Sequence, residues 1–349
     1  MKEKKPIIGI TMGDPAGGGP EITIKSLHHR DIYERCNPVI IGDAAVFRQM
    51  ITILEQTGYL KKGEMKVREV RDIDDCRFEY GLLDIYQMDL IDMNEFAHGR
   101  LSSMCGNAAF ECVRKVIELA LEGKVDATVT NALNKEALNL AGHHFSGHTE
   151  IYAHYTGTRN YAMMLVHDDF RVVHVSTHVS LREACNRAKK ERILDCIHMA
   201  YEECKKIGIT EPRVAVAGLN PHCGEGGLFG TEEIDEIIPA IVVAKEEGIN
   251  VDGPVPPDTV FSKARGGLYD IVVAMYHDQG HIPLKLVGFV YDRQKQEWEA
   301  VKGVNVTLGL PIIRTSVDHG TAFDAAGKGV MNEISLLNAI DYAIQSAAI

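Results

Sequence analysis

Short runs of apolar, often β-branched residues alternate with longer amphipathic stretches along most of the chain. Runs of the first kind, bounded by turns, are typical of buried strands, whereas the longer stretches are typical of helices. The predicted strands are 6–11, 39–41, 125–130, 161–166, 171–176, 214–218 and 271–274, and the predicted helices include 43–57, 102–122, 135–140, 181–208, 231–247 and 332–348. Their regular alternation predicts an α/β fold with a mostly parallel sheet and helices on both faces.

Three segments depart from this alternation. The strands predicted at 161–166 and 171–176 flank Asp168 and Asp169, which favours a hairpin and adds antiparallel strands to the sheet. Segment 251–259, VDGPVPPDT, contains three prolines and is predicted to be an irregular loop that ends near Asp258. The polar segment 289–302 is predicted to be a surface hairpin or loop.

A histidine follows each of three predicted strands. His178, His222 and His277 lie just beyond 171–176, 214–218 and 271–274, and 44 and then 55 residues separate them. Ligands of open α/β proteins gather beyond the carboxyl ends of strands, and three histidines with an open position are typical of catalytic zinc. Each histidine taken singly is more typical of a structural residue, because metal sites usually show short spacings. The shared strand-end position favours a metal site.

These residues do not specify which metal binds. Zinc, cobalt, manganese and magnesium are all compatible with the residues, although nitrogen ligands favour first-row metals over magnesium. Such an ion would polarise a substrate hydroxyl or the carbonyl formed from it.

The formal net charge of −12, without any basic tract, argues against nucleic acid as a partner. An acidic protein that binds an anion must place its few cations locally. Lys285, Arg314, Asn305 and the helix start at His148 and Thr149 offer charge, amide and backbone N–H groups suited to a phosphate or carboxylate. The alternatives are surface salt bridges for the two cations and an ordinary threonine cap for the helix.

The segment MGDPAGGGPE contains three consecutive glycines, Gly17 to Gly19, after the first predicted strand. It fits neither the G-x-G-x-x-G fingerprint of Rossmann folds nor the P-loop pattern. A ligand-binding loop and a tight strand-to-helix turn are both compatible with it. Any dinucleotide would therefore be held by a non-Rossmann arrangement.

Length and composition indicate the general class of protein. A chain of 349 residues exceeds the roughly 250–300 residues at which one core stops growing, which favours two domains. Eight cysteines without a CxxC pair and without a secretory leader predict a reduced, cytoplasmic protein. The apolar run 237–244 is far shorter than the roughly 20 residues of a membrane span, so no membrane association is expected.

Six motifs, in order along the whole chain, resemble the 4-hydroxythreonine-4-phosphate dehydrogenase family. They are GDPAGGGPE at 13–21, SGHTE at 146–150, STH at 176–178, GLNPHCGEGG at 218–227, MYHDQG at 275–280 and GVNVTLGLPIIRTSVDHGTA at 303–322. Six motifs of this length are highly specific, unlike the glycine-rich loop alone.

This resemblance implies an isocitrate/isopropylmalate-dehydrogenase-like fold of two α/β/α domains, 1–134 plus 304–349 and 135–303. The active site would lie in the cleft between them, and the protein would be a homodimer. The implied metal ligands are His178, His222 and His277. The implied substrate contacts are His148, Thr149, Lys285, Asn305 and Arg314. Asp258 and Asp278 would orient groups or transfer protons near the metal. NAD or NADP and one divalent metal are the implied cofactors, with no residue assigned to the nicotinamide.

The implied reaction oxidises a hydroxyl β to a carboxylate and then releases CO₂. Segment 290–302 and the sequence GHIPLKL at 280–286 resemble the catabolic branch, which converts D-threonate 4-phosphate or D-erythronate 4-phosphate to dihydroxyacetone phosphate. Vitamin B6 biosynthesis from 4-phosphohydroxy-L-threonine is the alternative within the family. A metal-dependent phosphohydrolase and a metabolite sensor would use the same groups, and dependence on NAD⁺ separates them from a dehydrogenase.

Overall fold

The computed structural model describes residues 5–294 and 297–348, so Lys295 and Gln296 of the predicted 289–302 excursion lie outside the described residues. The chain divides into two compact units. Unit 1 comprises Met1–Arg159 and Leu310–Ala348, and unit 2 comprises Asn160–Gly309. Each unit has its own run of strands and its own helices.

Unit 1 contains a parallel array of strands in the order β3-β4-β2-β1-β5-β14. The strands are β1 Ile7–Thr11, β2 Asn37–Gly42, β3 Lys66–Val70, β4 Leu82–Gln87, β5 Ala127–Thr130 and β14 Ile313–Val317. The helices are α1 Gly19–Leu27, α2 Arg30–Arg35, α3 Ala44–Gln56, α4 Ser103–Leu121, α5 Lys135–Leu140, α6 His148–Thr156 and α12 Ile334–Ala347, with a 3₁₀ turn at Ile73–Asp75. The central strands are buried along nearly their whole length, as expected for parallel strands covered by helices.

Unit 2 contains strands in the order β13-β6-β7-β10-β8-β9. The strands are β6 Ala162–His167, β7 Phe170–His174, β8 Val214–Ala217, β9 Val251–Val255, β10 Ile271–Ala274 and β13 Val304–Leu308, with a separate hairpin of β11 Phe289–Asp292 and β12 Glu297–Val301. The helices are α7 Leu181–Arg187, α8 Lys190–Lys206, α9 Ile238–Glu246, α10 Val260–Arg265 and α11 His277–Gly288, with a left-handed turn within Pro221–Gly227 and a π-type turn at Glu233–Ile237.

The pairing of these strands confirms the predicted fold class. Strands β7, β10, β8 and β9 are parallel neighbours, whereas β6 pairs antiparallel with both β7 and β13. The predicted hairpin around Asp168 and Asp169 is therefore confirmed, and so is the hairpin within 289–302. The chain is an α/β protein with a mostly parallel sheet and some antiparallel strands.

The prediction that 251–259 is irregular is wrong for its first half. Val251–Val255 forms β9, which pairs in parallel with β8 at the end of the strand order. Proline has no N–H to donate to a neighbouring strand. An edge strand tolerates proline because one of its sides has no partner strand and needs no donor. Pro254 is therefore compatible with this edge strand. Asp258 lies beyond the end of β9, outside any strand.

Among the described residues, no helix is both long enough and apolar enough to cross a membrane. All eight cysteines are free thiols. Five of them are buried, which accords with a packing role.

Candidate functional site

The three strands that precede His178, His222 and His277 are adjacent in unit 2. β10 lies between β7 and β8 and is parallel to both. The carboxyl ends of parallel neighbours meet at one edge of a sheet, so the three histidines follow three consecutive strand ends. Gln279 joins two of these ends, because its side-chain amide donates to the Gly218 carbonyl at 2.8 Å. The sequence predicted the strands, and the structure adds their adjacency.

His178 and His277 lie beside each other at this edge, with ring centroids 5.9 Å apart. They line a cavity of about 460 Å³ together with Tyr276 and Asp278. Nδ1–H of His277 donates to the Asp278 carboxylate at 2.7 Å. When Nδ1 carries the proton and donates it in this way, the lone pair on Nε2 is available to bind a metal. This arrangement is common among metal-binding histidines.

His222 belongs to a turn of unusual backbone conformation after β8. His222, Cys223 and Glu225 have positive φ angles of 51°, 55° and 46°. Burial raises the pKa of the Cys223 thiol, and the carboxylates of Glu233 and Asp258 act in the same direction. Asp258 therefore lies on the side of unit 2 that carries His222.

The donor set suits a first-row divalent metal in chemistry and strand position, since three imidazoles follow adjacent strand ends and a carboxylate accepts a hydrogen bond from one of them. Within residues 5–294 and 297–348, however, no three His, Cys, Asp or Glu side chains converge closely enough to hold an ion. Metal binding by His178, His222 and His277 stays a prediction.

Two further histidines, His281 and His174, extend inward from His277 and were not singled out by sequence reasoning. The His281 ring stacks on His277, with centroids 3.6 Å apart and planes 13° apart, and its Nδ1–H donates to the His277 carbonyl at 2.9 Å. His174 of β7 lies 4.6 Å from His281, centroid to centroid. Burial lowers the pKa of His281 to about 3 and that of His174 to about 4, so both rings are neutral. The spacing of four residues between His277 and His281 was the available signal, because helical neighbours at i and i+4 share a face.

Gly280 packs against His174, and we expect Gly280→Ala to destabilise the protein by about 1–3 kcal/mol, the usual range for overpacking a buried site. A Cβ atom there would lie 2.4 Å from Nε2 of His174 and 2.7 Å from Cγ1 of Val172, both in buried residues. Chemical denaturation measures the effect. Gly320→Ala is the control, since its Cβ would meet no atom within 4 Å. Equal stability of the two variants would contradict the proposed packing.

In unit 1 the structure brings Arg314 and the start of α6 together. Arg314 lies on β14, donates from Nη2 to Thr130 Oγ1 at 3.0 Å and has its guanidinium carbon 5.6 Å from the Tyr152 ring centroid. Its side chain is buried, which lowers its pKa to about 10. Burial holds the pKa of His148 well below its usual value, and the nearby Arg314 charge acts the same way.

The α6 terminus has the composition of an anion site. Helix α6 begins at His148, as predicted, and Gly147 provides no side-chain cap for the amides of its first turn. Nε2 of His148 is buried and makes no hydrogen bond to any described residue. A buried guanidinium, an uncapped helix start and a neutral imidazole are groups that stabilise phosphate or carboxylate oxygens.

The remaining two predicted substrate residues belong to unit 2. Lys285 lies in the last turn of α11, with Nζ 5.2 Å from the Phe289 ring centroid. Asn305 lies on β13 opposite Leu165 of β6. The structure thus places them on different elements of the unit that also carries His178, His222 and His277.

The glycine-rich segment is packed against protein atoms. Residues 11–20 are buried, and a Cβ atom at Gly18 would lie 2.0 Å from Sδ of Met331. A Cβ at Gly19 would lie 2.3 Å from the Met12 carbonyl oxygen. Of the two alternatives left by the sequence, these contacts favour a tight strand-to-helix turn.

Comparison with known proteins adds independent information. The family model described as pyridoxal phosphate biosynthetic protein PdxA matches residues 34–343. A D-threonate 4-phosphate dehydrogenase of Cupriavidus necator is 44% identical over 97% of this chain and 97% of its own length. A relative in Oceanobacillus iheyensis, which bears the same name provisionally, is 50% identical over 99% of this chain and 98% of its own length.

Solved structures give the same result. A 4-hydroxythreonine-4-phosphate dehydrogenase from Burkholderia phymatum is 44% identical, with a TM-score of 0.83 and coverage of 99% of both chains. The enzyme of the same name from Klebsiella pneumoniae is 42% identical, with a TM-score of 0.84 and coverage of 98% of this chain and 100% of its own. The resemblance inferred from the six motifs is thereby confirmed, and this chain belongs to the pyridoxal phosphate biosynthetic protein PdxA family.

Proposed function

We propose that this protein is a metal-dependent, NAD(P)-linked dehydrogenase that oxidises and decarboxylates a phosphorylated 3-hydroxy acid, with D-threonate 4-phosphate as its main substrate. The observation that carries the proposal is that His178, His222 and His277 follow three adjacent parallel strands. His277, which follows the middle strand, is hydrogen-bonded to Asp278. The names of the relatives at 44% and 50% identity support the choice of substrate.

His178, His222 and His277 would hold the metal, which when bound supplies Lewis-acid polarisation of the substrate oxygen. Asp278 keeps the proton of His277 on Nδ1 and so leaves Nε2 available. The neutral ring of His281 stacks on the ring of His277. Asp278 and His281 thus hold the position and tautomer of His277 before the substrate binds.

The anion-binding role falls to the other predicted residues. Arg314 and the start of α6 at His148 and Thr149 suit the phosphate, because they combine a buried positive charge with a helix start that no side chain caps. Lys285 and Asn305 would bind the carboxylate end. Oxidation transfers a hydride from C3 to the nicotinamide and releases the hydroxyl proton. Loss of CO₂ then leaves the electron pair in an enolate, which takes up a proton to give dihydroxyacetone phosphate.

A second candidate substrate is 4-phosphohydroxy-L-threonine. The family description and the names of the solved structures at 42–44% identity favour it. The two substrates differ at C2, which bears a hydroxyl in one and an amino group in the other.

The test is the rate of NADH formation by metal-reconstituted protein with D-threonate 4-phosphate, D-erythronate 4-phosphate and 4-phosphohydroxy-L-threonine. We expect kcat/KM for D-threonate 4-phosphate to exceed that for the amino acid at least about tenfold, equivalent to roughly 1.4 kcal/mol, and dihydroxyacetone phosphate to accumulate. Higher kcat/KM for the amino acid would reassign the substrate. Release of phosphate without nicotinamide would overturn the dehydrogenase proposal and favour a hydrolase.

A further inference from the structure

The segment that presents His222 is held in a backbone conformation that its own residues disfavour. His222, Cys223, Gly224, Glu225 and Gly226 have φ angles of 51°, 55°, 78°, 46° and 67° in succession. Residues with a Cβ atom rarely occupy the left-handed region, and a run of them requires support from the surrounding structure. Three of the five residues carry a side chain, so the conformation needs an external source of stability.

That support comes from the buried side chain of Glu233, which is 1% exposed. Its Oε1 accepts hydrogen bonds from the backbone N–H groups of Leu219 and Asn220, at 2.8 and 2.7 Å. Its Oε2 accepts from the Asn220 side-chain amide at 2.9 Å. One carboxylate thus satisfies three donors immediately before the left-handed run begins.

The segment also closes tightly around this carboxylate. A Cβ atom at Gly224 would lie 2.9 Å from Oε2 of Glu233, and one at Gly218 would lie 3.3 Å from Oε1. The Asn220 carbonyl accepts from the Cys223 N–H at 3.1 Å, and the Cys223 thiol donates to the Pro254 carbonyl at 3.4 Å. Because Asn220 is bonded on both its backbone and its side chain, movement of Glu233 would be transmitted to His222 two residues later.

Glu233 itself belongs to a helical segment. It opens the π-type turn Glu233–Ile237, which continues directly into α9. Single π turns of this kind occur often at functional sites. The helical segment positions the Glu233 carboxylate next to residues 218–227. Apart from the left-handed turn, residues 218–227 form no regular structure of their own.

We propose that Glu233 is the positioning residue for His222: it holds the left-handed turn and thereby fixes the imidazole at the strand-end edge. The consequence for metal binding rests on the proposed function. Glu233 makes no contact with substrate in this role and acts only through the Leu219, Asn220 and His222 backbone.

Three variants test the role. Glu233→Leu removes every acceptor at similar volume, whereas Glu233→Gln keeps an amide oxygen for the Leu219 and Asn220 N–H groups and loses only the bond from the Asn220 side chain. Glu203→Leu is the matched control, because Glu203 is a second buried glutamate of unit 2 and lies on α8, outside the 218–227 segment.

Zinc affinity is measured by calorimetry, and the geometry of bound Co²⁺ by its visible absorption spectrum. We expect Glu233→Leu to weaken zinc binding roughly 10–100-fold and to change the Co²⁺ spectrum, as removal of an orienting partner does in metal sites. Glu233→Gln should stay within a few-fold of wild type, and Glu203→Leu should bind zinc as wild type does. Zinc affinity of Glu233→Leu within twofold of wild type, or an equal loss in Glu203→Leu at equal thermal stability, would overturn the proposal.

The imidazole NMR signals of the metal-free proteins provide the readout that does not depend on the metal. Glu233→Leu should shift the His222 ring signals and leave those of the partly exposed His198 unchanged. If the wild-type protein bound no zinc, the proposed function would fail. A shift of the His222 signals in Glu233→Leu would still support the positioning role, and unchanged His222 signals would refute that role.

Discussion

Replacing His277 with alanine is expected to lower kcat/KM for NADH formation roughly 10³-fold. Polarisation by a metal is worth several kcal/mol of transition-state stabilisation, and about 4 kcal/mol corresponds to a factor of roughly 10³. His277 is the middle of the three strand-end histidines, its Nδ1 is bonded to Asp278, and its ring stacks on His281. Its removal therefore deletes one donor and the side chain that the neighbouring groups hold in place.

The measurement is steady-state NADH formation at saturating metal, with the metal content of each protein determined beside it. His198→Ala is the matched control, because His198 is a partly exposed histidine of the same unit that pairs with Glu247. It should retain wild-type kinetics. His277→Ala activity within tenfold of wild type, or an equal loss in both variants, would contradict the assignment of His277 as a metal ligand.

Replacing Lys25 with methionine is expected to destabilise unit 1 by about 3–5 kcal/mol, the range for breaking a buried ion pair from one side. Lys25 is 3% exposed and its Nζ lies 2.9 Å from the carboxylate of the fully buried Glu21. Nζ also donates to the carbonyls of Gly329 and Met331, at 3.1 and 2.6 Å. The same carboxylate accepts from the N–H groups of Gly329 and Met331.

Native-state hydrogen exchange in α1 and in residues 327–331 measures this loss. Lys124→Met is the control, since Lys124 forms its ion pairs with Asp72 and Asp74 at an exposed position and should leave exchange close to wild type. A double variant with Glu21→Leu should not recover stability, because the partly buried backbone groups of Gly329 and Met331 would lose their partners. Wild-type exchange in Lys25→Met would show that the pair contributes little.

The local pattern was sufficient for most of the elements. Short apolar runs bounded by turns predicted β1, β5, β8 and β10 to within two residues, because strands buried on both faces need apolar side chains at every position. The same pattern placed His178, His222 and His277 just beyond strand ends. The six motifs led to the family, which the comparisons confirmed.

Segment 251–259 shows where local reasoning failed. Its prolines indicated an irregular loop, yet residues 251–255 form an edge strand. A strand tolerates the missing N–H of proline only where no neighbouring strand requires that donor. The order of the strands decides this, and the residues of the segment do not determine that order. The order β7-β10-β8, which makes the strands before His178, His277 and His222 neighbours, is likewise a property of the whole sheet and not of any one segment.

By itself, then, the sequence determined what each segment forms and which chemical groups follow each strand, because periodicity and turn residues act over a few positions. Only the tertiary structure decided which groups meet. The stacking of His281 on His277 required the helix register of α11, and the hydrogen bonds from Leu219 and Asn220 to Glu233 join residues 14 and 13 positions apart across an irregular turn. Such contacts depend on how packed elements approach one another, and no local pattern of residues encodes that approach.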